Sequence, residues 1–275
     1  MSIVITGANG KLGNLIIKQL LQKVPPNQII ACVRRLESGK PFEEQGISVR
    51  LCDYDQPESL EHAFVGASQL VLISSSHHDD TIRLRQHAHV MEAAKKSKAE
   101  HILYTSFAFP ENGSSSPVHL HLATEHAIRA AGIPFTFLRN ALYTDFVEVL
   151  DLNAAIKKGK LSIFPGDWKF NSVTRLDIAA ACAAVLSEPG HRNKTYEFTT
   201  SRPWTFGDLA AALSDLSGKT ITLEQDPQIQ NWIYGFLSKI DTSSISNDLE
   251  RILGRPVITL KESIKTFISM KNLND

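Results

Sequence analysis

Three glycines, two arginines, a scatter of histidines and five tyrosines are the residues of this chain whose types and spacing could do chemistry. The glycines stand in "ITGANGKLGNLIIKQLL", as Gly7-x-x-Gly10-x-x-Gly13. Gly7 allows a tight turn, Gly10 lets the backbone approach a pyrophosphate, and Gly13 lets the next helix pack closely on its strand. The start of that helix then aims free N–H groups at the phosphates. Such spacing alone is a weak signal, but a short apolar strand before it and an amphipathic helix after it meet the context that a dinucleotide site requires.

Which dinucleotide is read from the end of the next strand. An NAD site carries a carboxylate about 20 positions after the glycines, on the ribose 2′-OH. Here "IIACVRR" ends on Arg34 and Arg35, with no carboxylate. A guanidinium forks onto a 2′-phosphate and has no comparable use for a hydroxyl, so NADP (as NADPH) is favoured over NAD. The competing reading is a pair of solvated strand-end charges. "LCDYD" adds Asp53, which could accept from an adenine amino group, and Tyr54; Asp55 is expected to cap the helix that follows.

Protonating the alkoxide formed when a ketone is reduced takes an acid, worth roughly 10²–10⁴ in rate. The familiar device is a tyrosine with a lysine four residues on. Tyr54 is followed there by Glu58, Tyr104 by Ala108, Tyr143 by Val147, Tyr196 by Thr200 and Tyr234 by Ser238. Acceptors such as quinones, which become delocalised anions, and triarylmethyl cations, which hydride neutralises, need only positioning and exclusion of water. His77 and His78, after the serine run Ser74–Ser76, and His119 and His121, before a helix, could donate to an acceptor oxygen or stack on it. Helix capping or plain solvation is the alternative for each. No cysteine or carboxylate completes a zinc ligand set with them. Phe107, Phe109, Tyr143, Phe146, Phe164 and Trp168 could wall a planar substrate, or could be core; Tyr143 is the foremost of them.

Alternating elements must position these groups. Strand-like runs at 2–6, 28–33, 47–51, 69–74, 101–106 and 134–139 alternate with helical stretches at 11–23, 56–64, 81–96 and 121–131. Strands that are mostly apolar rather than alternating are buried on both faces. The pattern predicts an α/β fold, a Rossmann-type doubly wound parallel sheet with a smaller C-terminal lobe. Residues 1–150 form the nucleotide-binding domain, 172–200 return to it through a strand at 195–199, and 151–275 supply the smaller lobe. Residues 164–173 read as a loop or hairpin, and helices dominate beyond 200. Asp55-x-x-Glu58, Thr174-x-x-Asp177, Thr205-x-x-Asp208 and Thr259-x-x-Glu262 resemble capping boxes.

Twenty-nine basic residues balance twenty-nine acidic ones, so no global field recruits nucleic acid or an anionic membrane. Three cysteines without metal or redox spacing fit a reducing compartment. A strand beginning at Ser2 leaves no room for a signal peptide, and the apolar run 178–186 is about half a membrane span. The expectation is a soluble cytoplasmic protein, monomer or homodimer.

"MSIVITGANGKLG", "RLCDYDQPESLEHAF", "ISSSHHDDT", "HLATEHAIRAAGIPFTFLRNALYTDF" and "NSVTRLDIAAACAAVL" together resemble the NmrA-like, atypical short-chain dehydrogenase/reductase family. Within it they are most similar to the bacterial type 2 quinone oxidoreductase and triphenylmethane reductase group, over about residues 1–225. The resemblance implies NADPH as reductant and a substrate cleft between domain and lobe. It implies that Asn9, Lys11 and Leu12 join the glycines at the pyrophosphate, Arg34 holds the 2′-phosphate, and Asp53 and Tyr54 border the adenine. Ser74, Ser75 and Ser76 would border the nicotinamide ribose, and Phe137 to Asn140 the nicotinamide. A lysine that some members carry at the position of His126 is missing, and the segment after residue 225 is shorter. The implied activity is hydride transfer to a quinone or a related planar, electron-poor aromatic. The alternative is a non-catalytic NADP(H) sensor of the NmrA type, which the shortened segment favours.

Overall fold

The structure, a computed structural model, describes residues 2–268. Its centre is a seven-stranded parallel sheet of β1 (Ile3–Ile5), β2 (Ile29–Val33), β3 (Ser48–Leu51), β4 (Gln69–Leu72), β5 (Ile102–Phe107), β6 (Phe135–Asn140) and β9 (Lys194–Phe198). The strand order is β3-β2-β1-β4-β5-β6-β9. Order reverses between β1 and β4, and in open α/β sheets ligands bind beyond the carboxyl ends of the strands at such a point. Ile5 is level with Ala31 on one side and Val71 on the other, so the chain leaves β1 directly over that crevice.

Both faces of the sheet are covered, which is why its central strands are apolar without a break. Helices α1 (Lys11–Leu20) and α7 (Arg175–Ser187) pack together on one face, over Ile3, Ile5 and Val71. Opposite them α3 (Pro57–Ala63), α4 (Asp80–Lys96) and α5 (Ser116–Ala130) cover Val4, Leu70 and Leu72. A short α2 (Lys40–Glu43) joins β2 to β3.

A further core gathers from the later segments. Phe170 of β8 (Lys169–Phe170) and Trp204 of β10 (Trp204–Thr205) pack against Phe206 at the start of α8 (Phe206–Ser217) and Phe146 of the 3-10 turn Thr144–Leu150, with Trp204 and Phe146 stacked. The remaining helices are α6 (Leu152–Lys158), α9 (Trp232–Leu237), α10 (Asp248–Leu253) and α11 (Leu260–Ile264). α10 packs back on α7 and β9.

Residues 164–173 are mostly loop, as one of the two readings has it, and the short β8 within them pairs antiparallel with β10 and not with a neighbour in the same stretch. Helices dominate past residue 200, with one addition: β11 (Thr222–Gln225) pairs in parallel with β7 (Lys160–Ile163). Thr174, Thr205 and Thr259 cap their helices, but Asp55 caps nothing. Pro57 opens α3, so the capping position falls on Gln56, and the Asp55 carboxylate instead accepts from Gln86 at 2.8 Å and Arg85 at 3.2 Å on α4.

Candidate functional site

The glycine turn is fixed by sterics. Gly7 lies at φ +58°, and a Cβ on Gly13 would stand 2.3 Å from the Gly7 carbonyl oxygen, so only hydrogen fits where α1 crosses the turn. A Cβ on Gly10 would stand 3.1 Å from the same oxygen. Ala8 N–H donates to Cys32 O at 3.1 Å, and the Asn9 amide donates to Ser38 Oγ at 3.2 Å, which ties the turn to the end of β2. Gly10 caps α1 without a side chain, and no carboxylate stands in the first helical turn. The positive end of α1 is therefore left for an anion.

A cleft of about 610 Å³ follows the switch point, from Arg34 and Asp53 at one end, along the glycine turn, to Ser74, Thr105 and Tyr143 at the other. Lys11, Leu12, Ser75, Ser76, His77 and His78 also line it. Arg34 is exposed, and among the described residues no carboxylate stands in ion-pair range of it. The Asp53 carboxylate takes the N–H of Asp55 at 3.0 Å, which shapes the loop. The Tyr54 hydroxyl lies between Thr6 Oγ1 and Ile73 O, 2.8 Å from the latter. Burial holds it well above the ordinary tyrosine pKa. Tyr54 thus braces β1 against β4 beneath the cleft.

The serine run is held from behind. Ser74 N–H donates to Thr105 Oγ1 at 3.0 Å, and Ser75 N–H donates to His87 Nε2 at 2.9 Å. Because Nε2 accepts, the His87 proton is on Nδ1, which donates to Thr124 Oγ1 at 2.9 Å; that hydroxyl donates to Leu120 O at 2.9 Å. Burial pushes the His87 pKa down to about 3, so the ring stays neutral. The Ser75 hydroxyl donates to Gln86, and Gln86 to Asp55. His77 Nδ1 accepts from Asp79 N–H at 3.0 Å.

At the far end Tyr143 lines the cleft, with the Arg175 guanidinium lying 4.3 Å from its ring centroid. Arg175 also pairs with Asp145. Burial pushes the Tyr143 hydroxyl up to about 12, against the opposing pull of Arg175 and of the nearby Asn140 amide. Asn140 ends β6 and is buried, whereas Phe137 and Leu138 lie wholly in the core. Next to Asn140, Arg139 makes a bidentate pair with buried Glu125 (2.9 Å to each oxygen) and reaches Glu197 at 3.0 Å. Glu197 also accepts Phe109 N–H at 2.9 Å, fixing the loop after β5.

His121 is not on the rim. α5 begins at Ser116, so His121 lies inside the helix, buried, with Nδ1 2.7 Å from the Tyr104 hydroxyl. Burial pushes its pKa down to about 3. His119 and His126 are exposed on the same helix, and Phe146 belongs to the aromatic core. Sequence reasoning missed Thr105, Gln86, His87 and Arg175. The first is adjacent in type to the serine run it holds; the others carry no sequence signal, because each acts on a residue brought to it by the fold.

A family model described as NAD(P)H-binding matches residues 7–189. Quinone oxidoreductase 2 of Escherichia coli is 34% identical over 98% of this chain and 100% of its own length. The crystal structure of Citrobacter sp. triphenylmethane reductase complexed with NADP(H) is similar at a TM-score of 0.91 and 42% identity, over 97% of this chain and 100% of that one. That of the Escherichia coli NADPH-dependent quinone oxidoreductase complexed with NADPH is similar at a TM-score of 0.85 and 34% identity, over 96% and 99%.

Proposed function

This chain belongs to the NAD(P)H-binding, NmrA-like atypical short-chain dehydrogenase/reductase family, and we propose that within it the chain reduces quinones or related planar, electron-poor aromatics without a tyrosine–lysine acid. It is an NAD(P)H-dependent oxidoreductase, and its cofactor is NADP(H). The residues present suit that cofactor. Gly10 and Gly13 leave room for a pyrophosphate at the uncapped start of α1, and Arg34, without a carboxylate partner among the described residues, borders the cleft where a 2′-phosphate would lie. Ser74 to Ser76, held by Thr105 and His87, would take the second ribose.

When bound, NADPH would supply a hydride and become NADP⁺; a quinone would take that hydride up as a quinolate, which needs one proton from solvent after release to become the hydroquinone. The chain's part is to bind, orient and keep water out. The observation that carries this reading is Tyr143. It lines the cleft at the end away from Arg34, the Arg175 guanidinium lies over its ring, and burial pushes its hydroxyl up to about 12. Such a phenol is a weak acid, suited to donating a hydrogen bond rather than a proton. The named activities of the relatives, reduction of quinones and of triphenylmethane dyes, are ones that need no strong acid. The test is NADPH oxidation with a benzoquinone, a triarylmethane dye and an unactivated ketone such as acetophenone. Turnover of the first two with none of the third is expected. Comparable ketone reduction would overturn the acid-free reading.

A further inference from the structure

A second cavity, of about 630 Å³, opens beside the cofactor cleft. Its floor is the first turns of α1 and α7; its roof is the segment from Ile258 to Phe267. Asn9, Gly10, Lys11 and Arg175 border both cavities, whereas Ser74, Thr105 and Tyr143 border the cofactor cleft alone. The second cavity therefore meets the cofactor path at the glycine turn and is no seat for a hydride acceptor. We infer that it is an effector site for an amphipathic anion, a carboxylate on an apolar chain, whose head takes the place of the cofactor pyrophosphate and so excludes NADP(H).

The walls divide by chemistry. Leu15, Leu176, Ile258 and Phe267 supply an apolar stretch, and Leu176 is left 41% exposed at the first turn of α7. At the other end stands Lys11. The described lysines that pair with carboxylates are Lys23, Lys96, Lys160, Lys169 and Lys261, and Lys11 is not among them. Its exposed ammonium stands with the uncapped start of α1, which favours an anion. The carboxylates of the cavity are already engaged: Asp145 pairs with Arg175, and Glu262 accepts from the Thr259 hydroxyl at 2.8 Å. A small polar anion would leave the apolar wall wet, and an uncharged apolar molecule would leave Lys11 unused. One negative charge on an apolar chain satisfies both ends, and the volume lies in the ligand-sized range of roughly 300–1,000 Å³.

The roof is fastened, so the cavity has a defined wall. Ile258 N–H donates to Asp177 Oδ2 at 2.9 Å on α7, Lys261 pairs with Asp215 of α8 at 2.9 Å, and Ile264 is fully buried in the C-terminal core. Head group and pyrophosphate claim the same ammonium and the same N–H groups. Each therefore lowers the affinity for the other by the same factor.

Decanoate, kept below its micelle concentration, is the probe, and the NADPH Kd from fluorescence titration is the readout. Decanoate at about ten times its own Kd is expected to raise the wild-type NADPH Kd roughly ten-fold. Decanol, which lacks the charge, and acetate, which lacks the chain, are expected to leave it unchanged at the same concentration. Leu176→Trp fills the cavity, and Leu176→Glu sets a like charge on its apolar wall. Because this half-exposed side chain borders only the second cavity, both variants should bind NADPH as the wild type does and lose the decanoate effect. An NADPH Kd that decanoate does not move, or moves equally in wild type and both variants, would overturn the site. Decanol acting as decanoate does would overturn the anion, and a raised NADPH Kd in both variants without decanoate would give the cavity to the cofactor. The readout is cofactor affinity without turnover, so its failure is distinct from failure of the reductase reading.

Discussion

His87 Nε2 accepts the backbone N–H of Ser75 at 2.9 Å across twelve residues of sequence, and this bond joins α4 to the loop that would hold the second ribose. Replacing His87 by Leu leaves that N–H without its acceptor, at a cost of about 1–3 kcal/mol. The expected result is a lower Tm together with NADPH binding weakened roughly ten-fold, since 1.4 kcal/mol is a factor of ten. His87→Gln, which keeps an acceptor, is expected to restore most of the affinity. Equal affinity in the Leu and Gln variants would mean the bond does not position the loop.

Arg34 is expected to set the choice between cofactors. A charge-assisted hydrogen bond to phosphate contributes about 1.5–3 kcal/mol, so Arg34→Ala should raise the NADPH Kd roughly ten- to hundred-fold. The NADH Kd should barely move. Fluorescence titration of the two cofactors measures both; a parallel loss would show that Arg34 serves the fold instead of the 2′-phosphate.

Tyr143→Phe separates positioning from proton donation. With the hydroxyl pushed up to about 12, it stays protonated through neutral pH. The variant is therefore expected to keep quinone turnover within roughly ten-fold, well short of the loss of a general acid, and the wild-type pH profile should show no step assignable to this phenol between pH 6 and 9. A loss of roughly a thousand-fold in kcat alone would mark Tyr143 as an acid.

Three buried histidines make the fold sensitive to acid. Burial holds His87 and His121 at about 3 and His101 at about 4. Each has a folded pKa below its unfolded value of about 6.5, so the unfolded chain binds more protons as pH falls. The stability these groups contribute is complete above about pH 6.5 and is lost as pH falls toward their folded values. Denaturant unfolding should show a loss of about 3 kcal/mol between pH 6 and pH 5. His121→Phe should flatten the slope by close to one proton; an unchanged slope would mean His121 is solvated.

The glycine turn and Arg34 were legible because their chemistry is local: a Cβ at Gly13 meets the carbonyl six residues back, and Arg34 follows β2 directly. The parallel sheet was legible from unbroken apolar strands such as Ile29–Val33, buried throughout. His121 was misplaced because the helix starts at Ser116, not at 121, which turns the ring inward onto Tyr104. Arg175 carried no signal, since the ring it covers is thirty-two residues away. The pairing of β7 with β11 was hidden for the same reason, four-residue strands separated by α7, β9 and α8. Local sterics can be read in order along a chain; contacts made by crossing elements cannot.

The central claim is that NADPH held in this cleft gives up its hydride to a quinone without a strong protein acid. An anaerobic single-turnover experiment tests it most directly, mixing the protein–NADPH complex with one equivalent of benzoquinone and following loss of the reduced-nicotinamide absorbance. The account predicts stoichiometric oxidation, at a rate that Tyr143→Phe changes by no more than roughly ten-fold. Tightly bound NADPH that stays reduced would contradict it and leave an NADP(H) sensor as the function of the same cleft.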